Sequence, residues 1–443
     1  MAASPARAAA FEILLRVELE DSYATELLHS ARVSRLSPPD HSLATELVMG
    51  VLRWRPVLDR SLAQASSKQL ERLDREVLTA LRLGIYQLQF LSKIPARAAI
   101  YESVELAKTA RKRSAAPFVN AVLRKIGNTS SDLEKIAAAG DSRALAELSA
   151  HPEWLVSRWV DRYGIERARQ ICRRDQTVPE TAIQLDDEAT AVELSQAGVQ
   201  LEPGLLLATA HRVRSGDVTK TGAYREGRVS IQDEASQLVA AVLGHGSAIL
   251  DCCAAPGSKT SFIARRNPRA LVIASELHAH RARLLQRRIR RPNVRIVAAD
   301  ARHLPFDGTF DRILADVPCS GTGTLARNPE IKWRLTAADL TDLQARQIAI
   351  LKAALMQLGP GGRLVYSTCS LEREENETVV EQMVRELAGV AIVDVRGELE
   401  RLVREGELAW PNPGWLVAGP YLQTLPGVHP CDGFFAAVVE RRS

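Results

Sequence analysis

From about residue 227 onward the chain alternates short apolar runs with helical stretches, and this alternation restricts the fold more than any other feature. The predicted strands are Ala248–Asp251, Leu271–Ser275, Val294–Ala298, Phe310–Ala315 and Arg363–Ser367. Helical periodicity separates them at Ser236–Leu243, Ser258–Arg266 and Ala345–Leu358. Such alternation forms a mostly parallel sheet that binds ligands at the carboxyl ends of its strands. We therefore predict an α/β domain over residues 227–443.

The first 140 residues show helical periodicity alone, with apolar residues recurring every three or four positions. Ala44, Leu47, Val48 and Val51 form one such apolar face. Further helices are predicted at Val77–Phe90, Ala99–Ala107 and Ala116–Ile126. Helices joined by short loops pack into bundles, so residues 1–140 are predicted to form an all-α helical domain.

The residues between these two regions have a mixed pattern. Residues 129 to about 150 are polar and rich in alanine, which suits a linker helix. After them, a helical Trp154–Tyr163 gives way to strand-like runs such as Thr181–Leu185. Residues 141–226 are therefore predicted to hold the linker helix and a small α+β subdomain. A multidomain chain also agrees with the length of 443 residues, because one hydrophobic core rarely organises so many.

Composition bears on compartment and partners. No cationic stretch followed by an apolar run opens the sequence, and no run of about 18 apolar residues occurs, so we expect a cytoplasmic protein with no membrane segment. The six cysteines lack the Cys-x-x-Cys spacing of a zinc site, so neither a metal nor a disulfide framework is predicted. Residues 1–127 carry 19 Lys and Arg against 13 Asp and Glu, whereas the remainder carries 39 against 40. This basic excess suits a nucleic-acid partner or a solvated helical surface. A monomer is expected.

A candidate cofactor site follows the first predicted strand of the α/β domain. The strand ends at Asp251 and runs into a turn of small residues, which lets the backbone approach a ligand before a helix begins near Ser258. Glu276 ends the next strand, where an acid typically accepts the ribose hydroxyls of a dinucleotide or of S-adenosylmethionine. Asp300 and Asp316 follow the next two strands. Acids at the ends of four successive strands predict a cofactor crevice, and the chain carries no phosphate loop for a nucleoside triphosphate.

Two cysteines are predicted to lie at the same edge of the sheet. Cys319 follows Asp316 in a turn of small residues, and Cys369 follows a later strand. Methyltransferases that act on exocyclic amines carry an Asn/Asp-Pro-Pro-aromatic tetrad at the first of these turns, and this chain carries a thiol instead. Local amides in such turns favour thiolate, whereas Cys172 and Cys431 are interpreted as small apolar residues. A thiolate that adds to C6 of cytosine activates C5 for methylation and leaves once the C5 proton is removed.

Longer runs of the sequence resemble two known families. DHSLATELVMGVLRWRPVLD, LRLGIYQLQFL and FVNAVLRKI resemble the helical RNA-binding domain of the antitermination factor NusB, over about residues 5–128. Five other runs resemble the RNA cytosine-5 methyltransferases of the Fmu/Sun type. They are SIQDEASQLVAAVLG from Ser230, ILDCCAAPGSKT from Ile249, ADVPCSGTGTLARNPEIKWR from Ala315, YSTCSLEREENE from Tyr366 and CDGFFAAVV from Cys431. The two resemblances together cover nearly the whole chain.

These resemblances imply a NusB-like helical bundle, a small α+β subdomain and a Rossmann-like class I methyltransferase domain. They imply methyl transfer from S-adenosylmethionine to C5 of a cytosine in small-subunit (16S) ribosomal RNA. In the catalytic set they imply, Cys369 is the nucleophile, Cys319 assists product release, and Asp316 and Lys259 complete the set. The cofactor would be held by Cys253, Ala254, Ala255, Pro256, Gly257, Ser258, Lys259, Glu276, Asp300 and Asp316.

Two residues depart from the family pattern, and we expect both to alter affinity rather than the reaction. Ser258 replaces the second glycine of the APGGK turn, which would tighten the pocket if that position needs a positive φ but is tolerable if Ser258 starts the helix. Glu276 replaces the more common Asp, which moves the carboxylate out by one methylene.

Alternative functions and two basic segments stay open from sequence alone. One alternative is a transfer-RNA cytosine-5 methyltransferase; another is a non-catalytic RNA-binding factor, against which the intact Cys319, Cys369, Asp316 and Lys259 argue. Cytosine-5 DNA methyltransferases attack from the Pro-Cys motif, so the second cysteine motif favours RNA. The segment KTARKRS, Lys108–Ser114, is either a phosphate contact or a solvated loop. The same choice between clamping RNA phosphate and pairing with carboxylates applies to Arg281, Arg283, Arg287, Arg288, Arg290, Arg291 and Arg295.

Overall fold

The computed structural model describes residues 3–20, 22–126, 136 and 139–442. The chain forms two compact units, a helical unit of Met1–Val178 with Leu325–Arg334 and an α/β unit of Pro179–Thr324 with Leu335–Ser443. This division differs from the three predicted segments, because residues 141–178 belong to the helical unit. Of the predicted linker, residues 129–135, 137 and 138 lie outside the described residues.

The helical unit is an all-α bundle, as predicted. Its helices in the described part of residues 1–178 are α1 (Pro5–Leu19), α2 (Ala24–Leu28), α3 (Pro38–Ala65), α4 (Arg75–Phe90), α5 (Ala96–Thr109), α6 (Ala116–Lys125), α7 (Ser142–Ser149), α8 (Glu153–Tyr163) and α9 (Ile165–Asp175). Helix α3 begins after Ser37, whose hydroxyl oxygen accepts a hydrogen bond from the Asp40 amide. The apolar stripes of α3 and α4 meet in the core, where Leu47, Leu58 and Leu81 are fully buried.

A segment from the second half of the sequence also belongs to the helical unit. Leu325–Arg334 contains a short helix, Ile331–Arg334. Lys332 is buried there, and its Nζ donates hydrogen bonds to the backbone oxygens of Arg53 at 3.1 Å and Ala150 at 3.0 Å. The sequence alone predicts this segment to lie in the α/β domain, because the segment follows a strand of that domain. The structure places it in the helical unit instead.

The first part of the α/β unit is the predicted small α+β subdomain. Its strands β1 (Thr181–Leu185), β2 (Gln200–Pro203), β3 (Ala210–Ser215) and β4 (Val229–Ile231) form an antiparallel sheet in the order β2-β3-β1-β4. Helices α10 (Glu188–Gln196) and α11 (Gly222–Arg225) lie between the strands in sequence. Ile183, Leu194 and Val229 belong to its apolar core.

The rest of the unit is a large mixed sheet flanked by helices. The strands are β5 (Ala248–Asp251), β6 (Leu271–Glu276), β7 (Val294–Ala298), β8 (Phe310–Asp316), β9 (Leu358–Thr368), β10 (Val390–Val393), β11 (Val417–Ala418), β12 (Tyr421–Thr424) and β13 (Phe434–Arg441). The helices are α12 (Glu234–Val242), α13 (Ser258–Arg266), α14 (Ala279–Arg288), α15 (Ala337–Met356), α16 (Glu377–Glu386) and α17 (Arg396–Arg404). The order is β11-β12-β13-β9-β8-β5-β6-β7, with β10 paired to β13.

The strand order places the predicted site. Strands β7, β6, β5, β8 and β9 are parallel, and β13 joins β9 antiparallel. The chain order reverses at β5, because β6 lies on one side of it and β8 on the other. Ligands of open parallel sheets bind at such a reversal, outside the carboxyl ends of the strands.

Two predicted boundaries were wrong. Helix α15 starts at Ala337 rather than Ala345, because Thr336 and Asp339 form a capping box that satisfies the first amides of the helix. Leu358 is the first residue of β9 rather than the last of the helix, so this strand starts five residues before Arg363.

Among the helices of the described residues, none combines the length and the apolar composition that a membrane span requires.

Candidate active site

The turn after β5 has the form that the sequence predicts for a cofactor loop. Gly257 has φ +105°, and Ser258 is the first residue of α13. The position that requires a glycine is therefore Gly257, and Ser258 causes no backbone strain. The amide of Ala254 donates to the backbone oxygen of Ser275, which fixes the turn against the end of β6.

Lys259 and Asp316 form an ion pair at this edge of the sheet. Lys259 Nζ lies 2.7 Å from Asp316 Oδ2, and the Ser367 hydroxyl donates to Asp316 Oδ1 at 2.7 Å. Burial alone would lower the pKa of Lys259, but the charge and the hydrogen bond of Asp316 outweigh burial and raise this pKa above its ordinary value. Lys259 is therefore a cation at neutral pH, held at the carboxyl end of β8.

The other strand-end acids have different surroundings. Asp251 is buried, and burial raises its pKa to about 6 although Thr260 donates to its Oδ2 at 2.7 Å. Its Oδ1 has no hydrogen-bond partner among the described residues. Glu276 is nearly buried, and its Oε1 accepts from the His278 amide at 3.0 Å.

Asp300 follows β7 and forms a charge-assisted pair with Arg302. Arg302 donates to it through Nε at 3.0 Å and through Nη2 at 2.7 Å. This charge-assisted pair lowers the pKa of Asp300 to about 2. Asp300 therefore stays ionised and oriented at the end of its strand.

The two predicted thiols lie next to each other. Cys319 Sγ and Cys369 Sγ are 3.3 Å apart, although fifty residues separate them in sequence. The hydrogen bond to Cys369 and, after it, burial raise the pKa of Cys319 well above that of a free thiol. The two sulfurs therefore share one hydrogen bond, in which either can be the donor. Cys172 and Cys431 are buried, as expected of packed thiols.

A buried carboxylate, Glu375, joins the turns that carry the two thiols. Glu375 Oε1 accepts from the amide of Ser320 at 2.8 Å and from Nε2 of Gln347 at 2.9 Å. Glu375 Oε2 accepts from the hydroxyls of Ser320 and Ser370. Since Ser320 follows Cys319 and Ser370 follows Cys369, one side chain positions both turns.

The same two turns approach each other through their backbones. The amide of Gly323 donates to the oxygen of Cys369 at 2.9 Å, and the amide of Gly433 donates to the oxygen of Gly323 at 2.8 Å. A Cβ at position 323 would lie 2.2 Å from the oxygen of Gly433. Only glycine fits here without a backbone shift.

The structure brings most of the predicted site residues to one edge of the sheet. The cofactor turn Cys253–Lys259, Glu276 and Asp316 lie at the ends of adjacent parallel strands, and Cys319 and Cys369 follow the ends of β8 and β9. Asp300 lies after β7, the outermost parallel strand. Sequence reasoning missed Glu375 and Gln347. Glu375 stands in the quoted run YSTCSLEREENE among three other acids, of which Glu372 is also buried, and no pattern in sequence singles out Glu375.

The residues at this edge fit S-adenosylmethionine. Its sulfonium is a cation, and carboxylates outnumber the one lysine here. Glu276, at the end of β6, suits ribose hydroxyls, and the glycine turn with the first amides of α13 admits a close ligand. This site on a sheet ordered β7-β6-β5-β8-β9 defines a class I methyltransferase that depends on S-adenosylmethionine.

Comparisons with known proteins agree with this class. The family model described as 16S rRNA methyltransferase RsmB/F matches residues 241–440, and the NusB family model matches residues 4–128. The chain is 36% identical to probable ribosomal RNA small subunit methyltransferase B of Bacillus subtilis over 98% of both chains. It is 34% identical to ribosomal RNA small subunit methyltransferase B of Vibrio cholerae over 98% of this chain and 97% of the relative. The crystal structure of PH0851 shares the fold, with a TM-score of 0.78 and 20% identity over all of both chains.

The chain belongs to the RsmB/F family of methyltransferases, and it carries the NusB domain at its amino terminus. It is an RNA methyltransferase that uses S-adenosylmethionine. This confirms the predicted fold class and the predicted cofactor.

Replacing Gly323 by Ala tests how closely the turn that carries Cys319 packs against the backbone of Gly433. We expect Gly323→Ala to lower the free energy of unfolding by about 1–3 kcal/mol, because the added Cβ overlaps a backbone oxygen. Displacement of the thiols by about 1 Å should lower the rate of RNA methylation by roughly a hundredfold. Thermal unfolding and single-turnover methylation measure the two effects.

The matched control is Gly308→Ala. A Cβ at Gly308 has no atom within 4 Å, and the glycine does not adopt a positive φ. This variant should keep wild-type stability and rate. Equal rates for both variants would show that the packing of the Cys319 turn against Gly433 does not set the position of the thiols.

Proposed function

We propose that this protein methylates C5 of a cytosine in small-subunit ribosomal RNA through a covalent bond between Cys369 and C6 of the base. The observation that carries the proposal is the pair of thiols 3.3 Å apart beside the strand end that holds Lys259 and Asp316. Methyltransferases of exocyclic amines have no use for two adjacent thiols. Chemistry at C5 needs one thiol to bond to the base and a second group to help release it.

The cofactor site is assigned to the turn Cys253–Lys259 with Glu276, Asp300 and Asp316. S-adenosylmethionine supplies an electrophilic methyl group when it is bound there. We assign the ribose hydroxyls to Glu276, whose Oε1 is already oriented by the His278 amide. Its longer side chain, compared with Asp, should alter affinity rather than the reaction.

The reaction begins with Cys369. Its sulfur forms a bond to C6 of the cytosine while its S–H bond breaks. The electron pair of the C5–C6 double bond moves toward N3, and N3 gains the proton that the thiol loses. The ion pair of Lys259 and Asp316 stabilises the charge that develops at this edge of the base. C5 is now nucleophilic enough to accept a methyl group.

Release of the product is the task of Cys319. After methylation, C5 carries both a proton and a methyl group. Removal of that proton, assisted by Cys319, restores the C5–C6 double bond and breaks the bond from C6 to the sulfur of Cys369. The proton that N3 gained returns to the sulfur of Cys369 as the adduct collapses.

The substrate is assigned from the relatives named as small-subunit ribosomal RNA methyltransferases. We expect the purified protein to transfer tritium from labelled S-adenosylmethionine to unmodified small-subunit ribosomal RNA, and bisulfite sequencing to locate one new 5-methylcytosine. Transfer to transfer RNA alone would establish the alternative substrate. A folded protein that labels no cellular RNA would be a non-catalytic RNA-binding factor, and the proposal would fail.

The two thiols should give opposite results when each is removed. Cys369→Ala should abolish both turnover and any covalent RNA adduct, because attack on C6 comes first. Cys319→Ala should spare attack and block release, so that a protein–RNA complex accumulates that survives denaturing electrophoresis and disappears on RNase digestion. The double variant should form no complex.

Cys172→Ala is the control, since this buried thiol belongs to the helical unit. It should turn over without trapping RNA. If Cys369→Ala traps the adduct and Cys319→Ala does not, the roles are reversed and the enzyme attacks as the DNA enzymes do. If neither variant traps RNA, thiol addition is not the mechanism.

We assign RNA binding to the helical unit as well, through the exposed end of KTARKRS. Lys108 is paired with Glu105 at 2.7 Å, and Lys112 with Asp74 at 3.0 Å. Arg111 and Arg113 are exposed and have no acidic partner within 4 Å among the described residues. These two arginines are therefore the candidates for phosphate contacts.

Neutralising the unpaired arginines should weaken RNA binding more than neutralising the paired lysines does. We expect Arg111→Gln with Arg113→Gln to weaken RNA binding and to reduce the slope of log affinity against log salt by about 1–2, since each lost phosphate contact removes about 0.7 on a single strand and about 0.9 on duplex DNA. Lys108→Gln with Lys112→Gln removes the same charge and should change the slope less. Filter binding at several salt concentrations measures both, and equal slopes for all three proteins would exclude this segment from the RNA surface.

A further inference from the structure

The arginine run between residues 281 and 295 divides into two groups. Arg291 forms an ion pair with Asp186, and Arg281 lies 3.9 Å from Glu276. Arg295 donates to the backbone oxygens of Pro292 and Val294. These three side chains have partners within the protein.

The other four arginines are exposed, and within the described residues none has an acidic partner closer than 4 Å. They are Arg283, Arg287, Arg288 and Arg290. Exposed guanidinium groups without carboxylate partners are available to a polyanion. Of the alternatives that the sequence leaves open, pairing with carboxylates applies to Arg281 and Arg291. Contact with RNA phosphate stays open for the four unpaired side chains.

Two of these unpaired arginines line a groove in the α/β unit. Arg287 and Arg288 end α14, and they share a groove of about 180 Å³ with Tyr224 and Arg225. Arg225 is also exposed, with no acidic partner in the described part of the chain. Among the residues that the structure describes, no acidic one lines the groove. Three unpaired guanidinium groups thus converge on one concave surface.

The remaining lining of the groove suits a sugar-phosphate strand. Ser230, Ser258 and Ser261 bring hydroxyl groups that can donate to phosphate oxygens. Guanidinium groups bind phosphate in a bidentate geometry, and the ring of Tyr224 offers a face on which a base can stack. Hydroxyls, guanidinium groups and one aromatic ring together match single-stranded RNA better than they match a free inorganic anion.

The groove also adjoins the cofactor turn. Pro256, Gly257 and Ser258 line it, and the same three residues belong to the turn assigned to S-adenosylmethionine. A strand bound in the groove therefore contacts the outer side of the cofactor turn. We infer that the groove lined by Arg225, Arg287 and Arg288 binds the backbone phosphates of the substrate RNA close to its target nucleotide. This inference rests on the proposed function, because it requires an RNA substrate.

The test compares two double variants of the full-length protein that remove the same charge from the same stretch. Arg287→Gln with Arg288→Gln removes groove arginines, whereas Arg283→Gln with Arg290→Gln removes unpaired arginines outside the groove. Affinity for an unmodified small-subunit ribosomal RNA transcript is measured by filter binding over a series of KCl concentrations. Binding of S-adenosylmethionine is measured in parallel by calorimetry.

We expect the groove variant to bind RNA roughly tenfold more weakly, with a salt slope reduced by about 1–2, while it binds S-adenosylmethionine as the wild type does. The control variant should lose clearly less affinity and slope. Equal losses in both variants would mean diffuse charge attraction and would overturn the inference, as would wild-type RNA binding by the groove variant. Loss of S-adenosylmethionine binding in the groove variant would assign the groove to the cofactor and would overturn it too.

Failure of the groove and failure of the proposed function give different results. If the wild-type protein methylates no RNA, the proposed function is wrong. If the wild-type protein methylates RNA and the groove variant binds RNA normally, only the inference about the groove is wrong.

Discussion

The carboxylate of Glu375 is the constraint on which the chemistry of this site depends. A buried carboxylate is costly unless donors satisfy its oxygens, and here an amide, a side-chain amide and two hydroxyls do so. Those donors come from the turns after β8 and β9 and from α15. The tyrosine hydroxyl of Tyr366 donates to the backbone oxygen of Glu375 and fixes its main chain as well. Two thiols that are distant in sequence are thereby held 3.3 Å apart.

This network explains why the two thiols can be partly exposed while the side chains that position them are buried. Cys319 and Cys369 are partly exposed, as a substrate base requires, whereas Glu375, Ser370 and Gln347 are buried. Hydrogen bonds in a buried site keep their geometry, because water does not compete for them. The Lys259–Asp316 pair has the same arrangement, since Ser367 orients the aspartate from the adjacent strand. Each reacting group is therefore positioned by a buried side chain from outside its own turn or strand.

The sequence predicted the fold class and the residues at the edge of the sheet, because strand-end acids and small-residue turns follow directly from chain order. It did not predict the role of Glu375, since tertiary packing decides which of the four acids in this run binds the two turns. It also placed the start of α15 eight residues late, although Thr336 and Asp339 form a capping box that could have been recognised. Nor did it predict that Arg291 pairs with Asp186, which lies about a hundred residues away in sequence.

The segment Leu325–Arg334 shows why sequence order is a poor guide to the division of this chain. It follows the Cys319 turn directly, yet it completes the helical unit. Trp333 Nε1 donates to the backbone oxygen of Leu52 at 2.8 Å, and burial lowers the pKa of Lys332 to about 7.

A polypeptide without residues 1–140 would leave Lys332 without its partner Arg53 and would expose the apolar core around it. Such a deletion therefore cannot separate RNA binding from catalysis. Substitutions of exposed arginines are better suited to that purpose, because they leave the segment and the turn that precedes it intact.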